Sequence, residues 1–204
     1  MVDVPDALGG QHAMASAKDL SSNTAVVIID MLNEYLDPKG KVYCEKCSSI
    51  IPAMNRVIDF AEQQGLLIVF NNTELTSTTD PLVRKWGLHA EKGTWGCRLY
   101  PAVKQPSAAV TVPKKNYNGF FDTSLDEVLK SHGVGRVAIC GIHTHVCVLI
   151  TATAAFEHGY DVDVLIDCVT TGYQPNHDTR LRYFGTHIGR GISSEEWMAE
   201  LTKR

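Results

Sequence analysis

The sequence predicts a single α/β domain with a Rossmann-like, three-layer α/β/α architecture on a mostly parallel sheet of five to six strands. Short apolar runs rich in β-branched residues recur at 24–30 (TAVVIID), 66–71 (LLIVFN), 107–113 (SAAVTVP), 136–141 (RVAICG) and 161–169 (DVDVLIDCV). Segments of helical length and pattern lie between them. Strands that are apolar on both faces belong to a parallel sheet covered on each side, and β–α alternation supplies the covering helices. A chain of 204 residues has the length of one such domain.

Residues 1–22 are small and polar, with too few apolar side chains for a core of their own, and read as an N-terminal arm; the domain is 23–204. The first strand ends on Asp30. In the helix expected over 48–65, Ile51, Met54, Val57, Ile58 and Ala61 share one face and Gly65 closes it. Residues 72–107 are long and irregular, and an ordered loop of that length is usually functional. A Thr-capped helix at 123–133 ends on Gly133. Another runs from about Val146 to Glu157 after the fourth strand, and a third spans 175–185. The last helix, 193–201, opens with Ser193 and has Glu in its first turn. Its Trp197, Met198 and Leu201 are three to four residues apart, forming an apolar stripe that needs a covering surface. Arm and stripe together predict a homo-oligomer, a dimer or tetramer.

Composition narrows the function. Hydrophobic residues at 44% and charged residues at 21% are globular values. The net charge of −4 argues against nucleic acid as a partner. No apolar run approaches the ~20 residues that span a bilayer. The first residues show neither a basic segment nor an apolar one of leader type, so a cytoplasmic location is expected. Three of the six cysteines lie in or beside apolar strands, which predicts reduced thiols rather than a disulfide framework. The CEKC pair (44–47) lacks the second CxxC of a structural zinc site. No GxGxxG follows the first strand and no Walker A sequence occurs, so nucleotide binding has no motif support.

Ligands of open α/β sheets bind beyond the carboxyl ends of the strands. There the chain places Asp30; Asn71, Asn72 and Glu74; Lys114 and Lys115; and His143, His145 and Cys147. An acid, a lysine and a cysteine thus converge on one edge, a set that suits nucleophilic catalysis. Cys147 follows a strand and a tight turn and opens a helix, where the dipole and a nearby cation would lower its pKa. On the residues alone, Cys147 as a buried structural thiol, Asp30 as a loop cap and Lys114 as a solvated surface charge remain open.

Three stretches resemble motifs of the isochorismatase-like cysteine hydrolases, which include nicotinamidases and N-carbamoylsarcosine amidohydrolases: VVIIDMLNEYL (26–36), VPKKNYNGFFDTSLDEVL (112–129) and GIHTHVCVLITATAAF (141–156). WGLHAEKGTWG (86–96) is a looser match. The resemblance implies a cysteine-dependent amidohydrolase that cleaves a C–N bond of a small amide, carbamoyl or ureido compound through a thioester. Asp30 is then the acid–base group and Cys147 the nucleophile. Counting back from Phe120 makes Lys114, not Lys115, the catalytic lysine. A cis peptide falls at Ile142–His143, and the backbone N–H groups of His143 and Cys147 form the oxyanion hole.

Departures from the family matter equally. The metal-binding D-x-H pair and later His of nicotinamidases align with Asn72, Glu74 and His89. An amide has replaced an acid and a carboxylate an imidazole, so neither a metal nor any other cofactor is expected, and nicotinamide is disfavoured as substrate. These three residues, with Trp95, Tyr117, Asn118 (where Ser is common), Phe120 and also Trp86, are assigned to the substrate pocket. His143 is expected to line it and His145 to pack outside. Two alternatives are an isochorismatase-type ether hydrolase, whose members commonly lack the cysteine, and a non-catalytic, redox-sensing or binding thiol protein.

Overall fold

The switch point of the sheet lies between its two central strands. In the computed structural model, which describes residues 24–203, the strands are β1 (Thr24–Ile29), β2 (Leu67–Thr73), β3 (Val110–Lys114), β4 (Arg136–Ile142), β5 (Asp161–Thr170) and β6 (Arg190–Ile192). All pair in parallel in the order β3-β2-β1-β4-β5-β6. The chain winds outward from β1 to β3, then returns to the other side of β1 for β4. A crevice opens where the connections part, at the carboxyl ends of β1 and β4. The arm assigned to 1–22 lies outside the described residues.

The helices are α1 (Asn33–Leu36), α2 (Ile51–Gln63), α3 (Pro81–Trp86), α4 (Leu125–Ser131), α5 (Leu149–Glu157), α6 (Gln174–Tyr183) and α7 (Ser194–Thr202). Alternation along β1 divides them between two layers. Val26 and Ile28 face the cluster holding α2 and α7, whereas Ala25, Val27 and Ile29 face α4 and α5. All five apolar residues assigned to the α2 face are buried. The helix begins three residues later than the pattern suggests. Pro52 has no N–H to bond Ser48, so Glu45–Ile50 forms a 3₁₀ helix instead.

The terminal stripe finds its cover within the chain. Ser193 and Glu196 form a capping box, and Trp197 stacks edge-on against Phe60 of α2 with centroids 5.9 Å apart. Leu201 is buried and Met198 packs on the same cluster. The stripe therefore gives no support to the expected oligomer. The short β6 is held by charge: buried Asp163 receives Arg190 Nε at 2.8 Å and Arg136 Nη1 at 3.2 Å, and Arg190 also meets Glu200 of α7 at 3.1 Å. On the opposite edge of the sheet, Pro113 and Thr111 of β3 are exposed, while Val112 and Lys114 are buried. Among the described residues, no helix is long and apolar enough to cross a membrane.

Gly141 lets the crevice form. Its φ is +114°, at a register irregularity between β4 and β5, and an added Cβ would lie 2.1 Å from the carbonyl oxygen of Ile29. Gly141→Ala should cost more than about 2 kcal/mol in urea unfolding. Gly185→Ala, with nothing within 4 Å of the new methyl, should leave stability unchanged or slightly raised.

Candidate active site

Asp30 follows β1 directly and adopts a φ of +57°, a left-handed conformation that Asp tolerates better than most residues. This turn directs its carboxylate toward the end of β2. There Oδ1 accepts from the backbone N–H of Thr73 at 2.7 Å and from the Thr73 hydroxyl at 2.9 Å. The β2–β3 register sets Lys114 opposite Thr73. Strand alternation turns Lys114 inward and leaves its neighbour Lys115 exposed. Lys114 Nζ donates to Asp30 Oδ2 at 2.7 Å, to Thr73 Oγ1 at 2.9 Å and to the Asn116 carbonyl at 3.3 Å, and it lies 3.6 Å from Cys147 Sγ. The Lys114 and Asp30 side chains are 0% and 3% exposed, so the pair works almost without water.

Cys147 sits in a π-helical turn, Thr144–Val148, from which α5 continues. The Ile142–His143 peptide just before it is cis. Burial pushes the Cys147 thiol far above its ordinary pKa. The Lys114 ammonium pulls it down, and the Asp30 carboxylate raises it by charge and by hydrogen bond. The depressed pKa expected from the helix end and the cation is therefore corrected: desolvation wins, and the resting group is a thiol aimed at a carboxylate. Burial would lower the pKa of Lys114, but Asp30 and Cys147 outweigh it and hold the ammonium charged.

These groups line a cavity of about 580 Å³, within the usual range for small-molecule sites. Its walls are largely aromatic and aliphatic, among them Tyr35, Tyr43, Leu82, Trp86, Tyr117 and Tyr173. Trp86 donates its indole N–H to the Tyr117 hydroxyl at 2.7 Å. Of the residues assigned to the pocket, His89, Tyr117 and Trp86 line it, with His143 and Cys147. The others lie elsewhere, each for a local reason. Asn72 emerges on the opposite face of β2 from Thr73. Glu74 pairs with Lys92 at 2.9 Å. Asn118 Oδ1 caps its own loop, accepting from Phe120 N–H at 2.8 Å. Phe120 stacks on His158 at 4.7 Å, and Trp95 is 42% exposed on the surface.

The cavity also corrects the placing of His145, which lines it rather than packing outside. Burial lowers the pKa of His143, and burial followed by the Arg180 charge lowers that of His145, so both rings favour the neutral form. Two neighbours escaped the sequence reading. Thr73 ties carboxylate to ammonium; its only signal is strand parity with Asn71. Tyr35, buried beside Asp30 and Cys147, meets His89 and His143 edge-on at 6.1 and 6.4 Å, and burial holds its phenol well above the ordinary pKa.

Asn72, Glu74 and His89 do not fit the metal site of nicotinamidases. Asn72 supplies a neutral amide, the Glu74 carboxylate is engaged by Lys92, and only His89 reaches the cavity. The Gly87 carbonyl holds its Nδ1 at 2.8 Å, which leaves Nε2 as the one ligand atom this set turns to the cavity. A different pairing appears in the loop after α1: Cys44 and Cys47 are joined as a disulfide, contrary to the expected reduced thiols. Cys44 is the extended N-cap of the 3₁₀ helix, and its carbonyl accepts the Cys47 N–H at 3.0 Å, a tight turn that brings the two Cα atoms to 5.4 Å. Cys47 Sγ lies 3.6 Å from His143 Nδ1.

A six-stranded parallel sheet with helices on both sides is the fold of the isochorismatase-like hydrolases, and the structure of one from Alkaliphilus metalliredigens superposes with a TM-score of 0.80 at 28% identity, over 87% of this chain and 98% of that one. The chain belongs to the isochorismatase family: the Isochorismatase domain matches residues 24–196. It is 27% identical to the isochorismatase family protein YwoC of Bacillus subtilis over 87% of this chain and 94% of that protein. It is 28% identical to the ureidoacrylate amidohydrolase RutB of Variovorax paradoxus, over 72% of this chain and 68% of that one. The crystal structure of N-carbamoylsarcosine amidase from Thermoplasma acidophilum superposes with a TM-score of 0.76 at 26% identity, covering 85% of this chain and 97% of that one.

The raised thiol pKa sets a reactivity profile. Alkylation of Cys147 by iodoacetamide, followed by peptide mass spectrometry, should rise roughly tenfold per pH unit from pH 7 to 10 without levelling. A plateau near neutral pH would show a resting thiolate and overturn this account. Cys140 and Cys168, both 0% exposed in the core, should label more slowly than Cys147 throughout.

Proposed function

We propose that this chain is a cysteine amidohydrolase cleaving a C–N bond of a small amide, carbamoyl or ureido compound through a thioester on Cys147. The observation that carries this reading is the Lys114 ammonium, bonded to Asp30 at 2.7 Å and facing Cys147 Sγ at 3.6 Å within one buried cluster. The amidase names of two relatives support it, and the aromatic walls suit a substrate with an apolar flank.

As Sγ attacks the carbonyl carbon, Asp30 accepts the thiol proton. The developing oxyanion is assigned to the backbone N–H groups of His143 and Cys147. Collapse breaks the C–N bond while Asp30 returns its proton to the leaving nitrogen. Water, activated by Asp30, then hydrolyses the thioester and restores the thiol. Lys114 stays charged throughout. The transfer moves negative charge from one of its acceptors to the other, so the desolvated cluster keeps the same net charge. Thr73 and Lys114 hold the carboxylate in line for both transfers.

Ammonia release from a panel of small amides and ureido acids tests the reading. Turnover by the wild type and none by Cys147→Ser supports it; a panel with no turnover, or an active Cys147→Ser, overturns it. Lys114→Ala should remove most of kcat, and Lys115→Ala, on the exposed side of β3, should change it little. Thr73→Val keeps the shape but removes the bridging hydroxyl. It should lower kcat about tenfold or more with KM nearly constant, since a loosened acid–base group acts on the chemical step.

A further inference from the structure

At the cavity, Cys44 Sγ, Cys47 Sγ and His143 Nδ1 lie within 4.8 Å of one another. We propose that, once reduced, this cluster binds one divalent ion of the zinc class through these three atoms. The proposal stands apart from the amidohydrolase reading and uses none of that reading's acid–base groups.

The donor chemistry and spacing favour such an ion. Two thiolates and an imidazole form a Cys₂His set, the kind of soft and borderline ligands that zinc takes when a fourth position stays open. The CxxC spacing is that of zinc-ligand cysteine pairs. A tetrahedral ion with Zn–S of about 2.3 Å and Zn–N of about 2.0–2.1 Å has an S···N edge of about 3.6 Å. Cys47 Sγ and His143 Nδ1 are 3.6 Å apart. Their separation is thus already that of two ligands on one ion, although they are 96 positions apart in the chain.

The fourth position follows from the placing of the ligands. Cys44 and His143 line the cavity, whereas Cys47 is fully buried behind them. An ion held by all three opens toward the cavity, where a carbonyl, carboxylate or ring nitrogen of a ligand would complete it. Gly172 leaves little room to spare on this side: an added Cβ would lie 3.3 Å from Cys44 Sγ.

The two sulfurs cannot be a disulfide and a ligand pair at once, so occupancy depends on oxidation state. A phosphine reductant supplies two electrons to the S–S bond, and water furnishes two protons to the sulfurs while its oxygen leaves on the phosphine. On binding the ion, both thiols release their protons to solvent, and neutral His143 ligates through Nδ1 with its proton on Nε2.

The test uses the whole chain, stripped with chelator, reduced under anaerobic conditions and titrated with Co²⁺, then with Zn²⁺. The expected result is roughly one ion per chain, with a sulfur-to-cobalt charge-transfer band and the visible bands of tetrahedral cobalt. Cys44→Ser, Cys47→Ala and His143→Gln should each weaken binding about tenfold or more. Glu74→Gln and His89→Gln should leave the spectrum intact. Circular dichroism establishes that each variant is folded, and the three ligand variants provide independent checks. The proposal is overturned if the folded, reduced wild type gives no charge-transfer band. It also falls if folded Cys47→Ala binds as tightly as wild type, or if the oxidised protein binds equally well.

Discussion

One buried ammonium organises the site. Lys114 is an edge-strand lysine with no water around it, so its charge must be met by protein groups. Asp30 supplies the counter-charge at 2.7 Å, and Thr73 fills the angle between them. This requirement links β1, β2 and β3 at their carboxyl ends. It also determines what Cys147 can be: a second anion in the same dry volume would leave the cluster with excess negative charge, so the thiol rests protonated. The raised thiol pKa thus belongs to the same charge balance as the buried Lys114–Asp30 pair.

The surrounding backbone supports this arrangement at a distance. Gly141 brings β4 against Ile29, which sets the turn carrying His143 and Cys147 beside the Asp30 turn. Buried Glu34 accepts from the backbone N–H groups of Lys41 and Ala90 at 2.6 and 3.0 Å, binding the loop after α1 to the loop after α3. Both of those loops contribute cavity residues, so one carboxylate holds together walls that the sheet itself does not reach. The charges around Asp163 do similar work at the amino-terminal ends of the strands, well removed from the chemistry.

What could be read from the sequence follows a physical divide. β1, β2, β4 and β5 were legible because burial on both faces writes apolar runs, whereas β3, exposed at Thr111 and Pro113, was legible from its shorter AAVTV run. β6 was not, since three residues with a central glycine carry no period. Asp30 and Cys147 stood out because strand ends in an open α/β sheet face the ligand. Choosing Lys114 over Lys115 needed a motif, for composition cannot distinguish adjacent lysines; strand parity then separates them in space. Asn72, Glu74, Asn118 and Phe120 were assigned from family motifs, and a motif fixes a position in the chain without fixing the partners its side chain takes: Glu74 turns to Lys92, Asn118 to its own loop and Phe120 to His158. Thr73 and Tyr35 carried too little chemical identity to be noticed until the register brought them to the carboxylate. The Cys44–Cys47 contact was hidden by a change of helix type that only Pro52 hinted at.

The exposed Pro113 on β3 has a bearing on how the molecule meets copies of itself. In a parallel strand, a residue's N–H and C=O point to the same side, and the Lys114 carbonyl points inward to bond Glu74. Pro113 therefore sits where the outward N–H of this edge would be, and it has none to offer. The other edge, β6, is only three residues long. Neither border gives an incoming strand a run of donors and acceptors to copy, which guards a largely apolar sheet against edge-to-edge growth. Among the described residues, this leaves helix and loop surfaces, where side chains rather than backbone choose the partner, as the ground on which copies would meet.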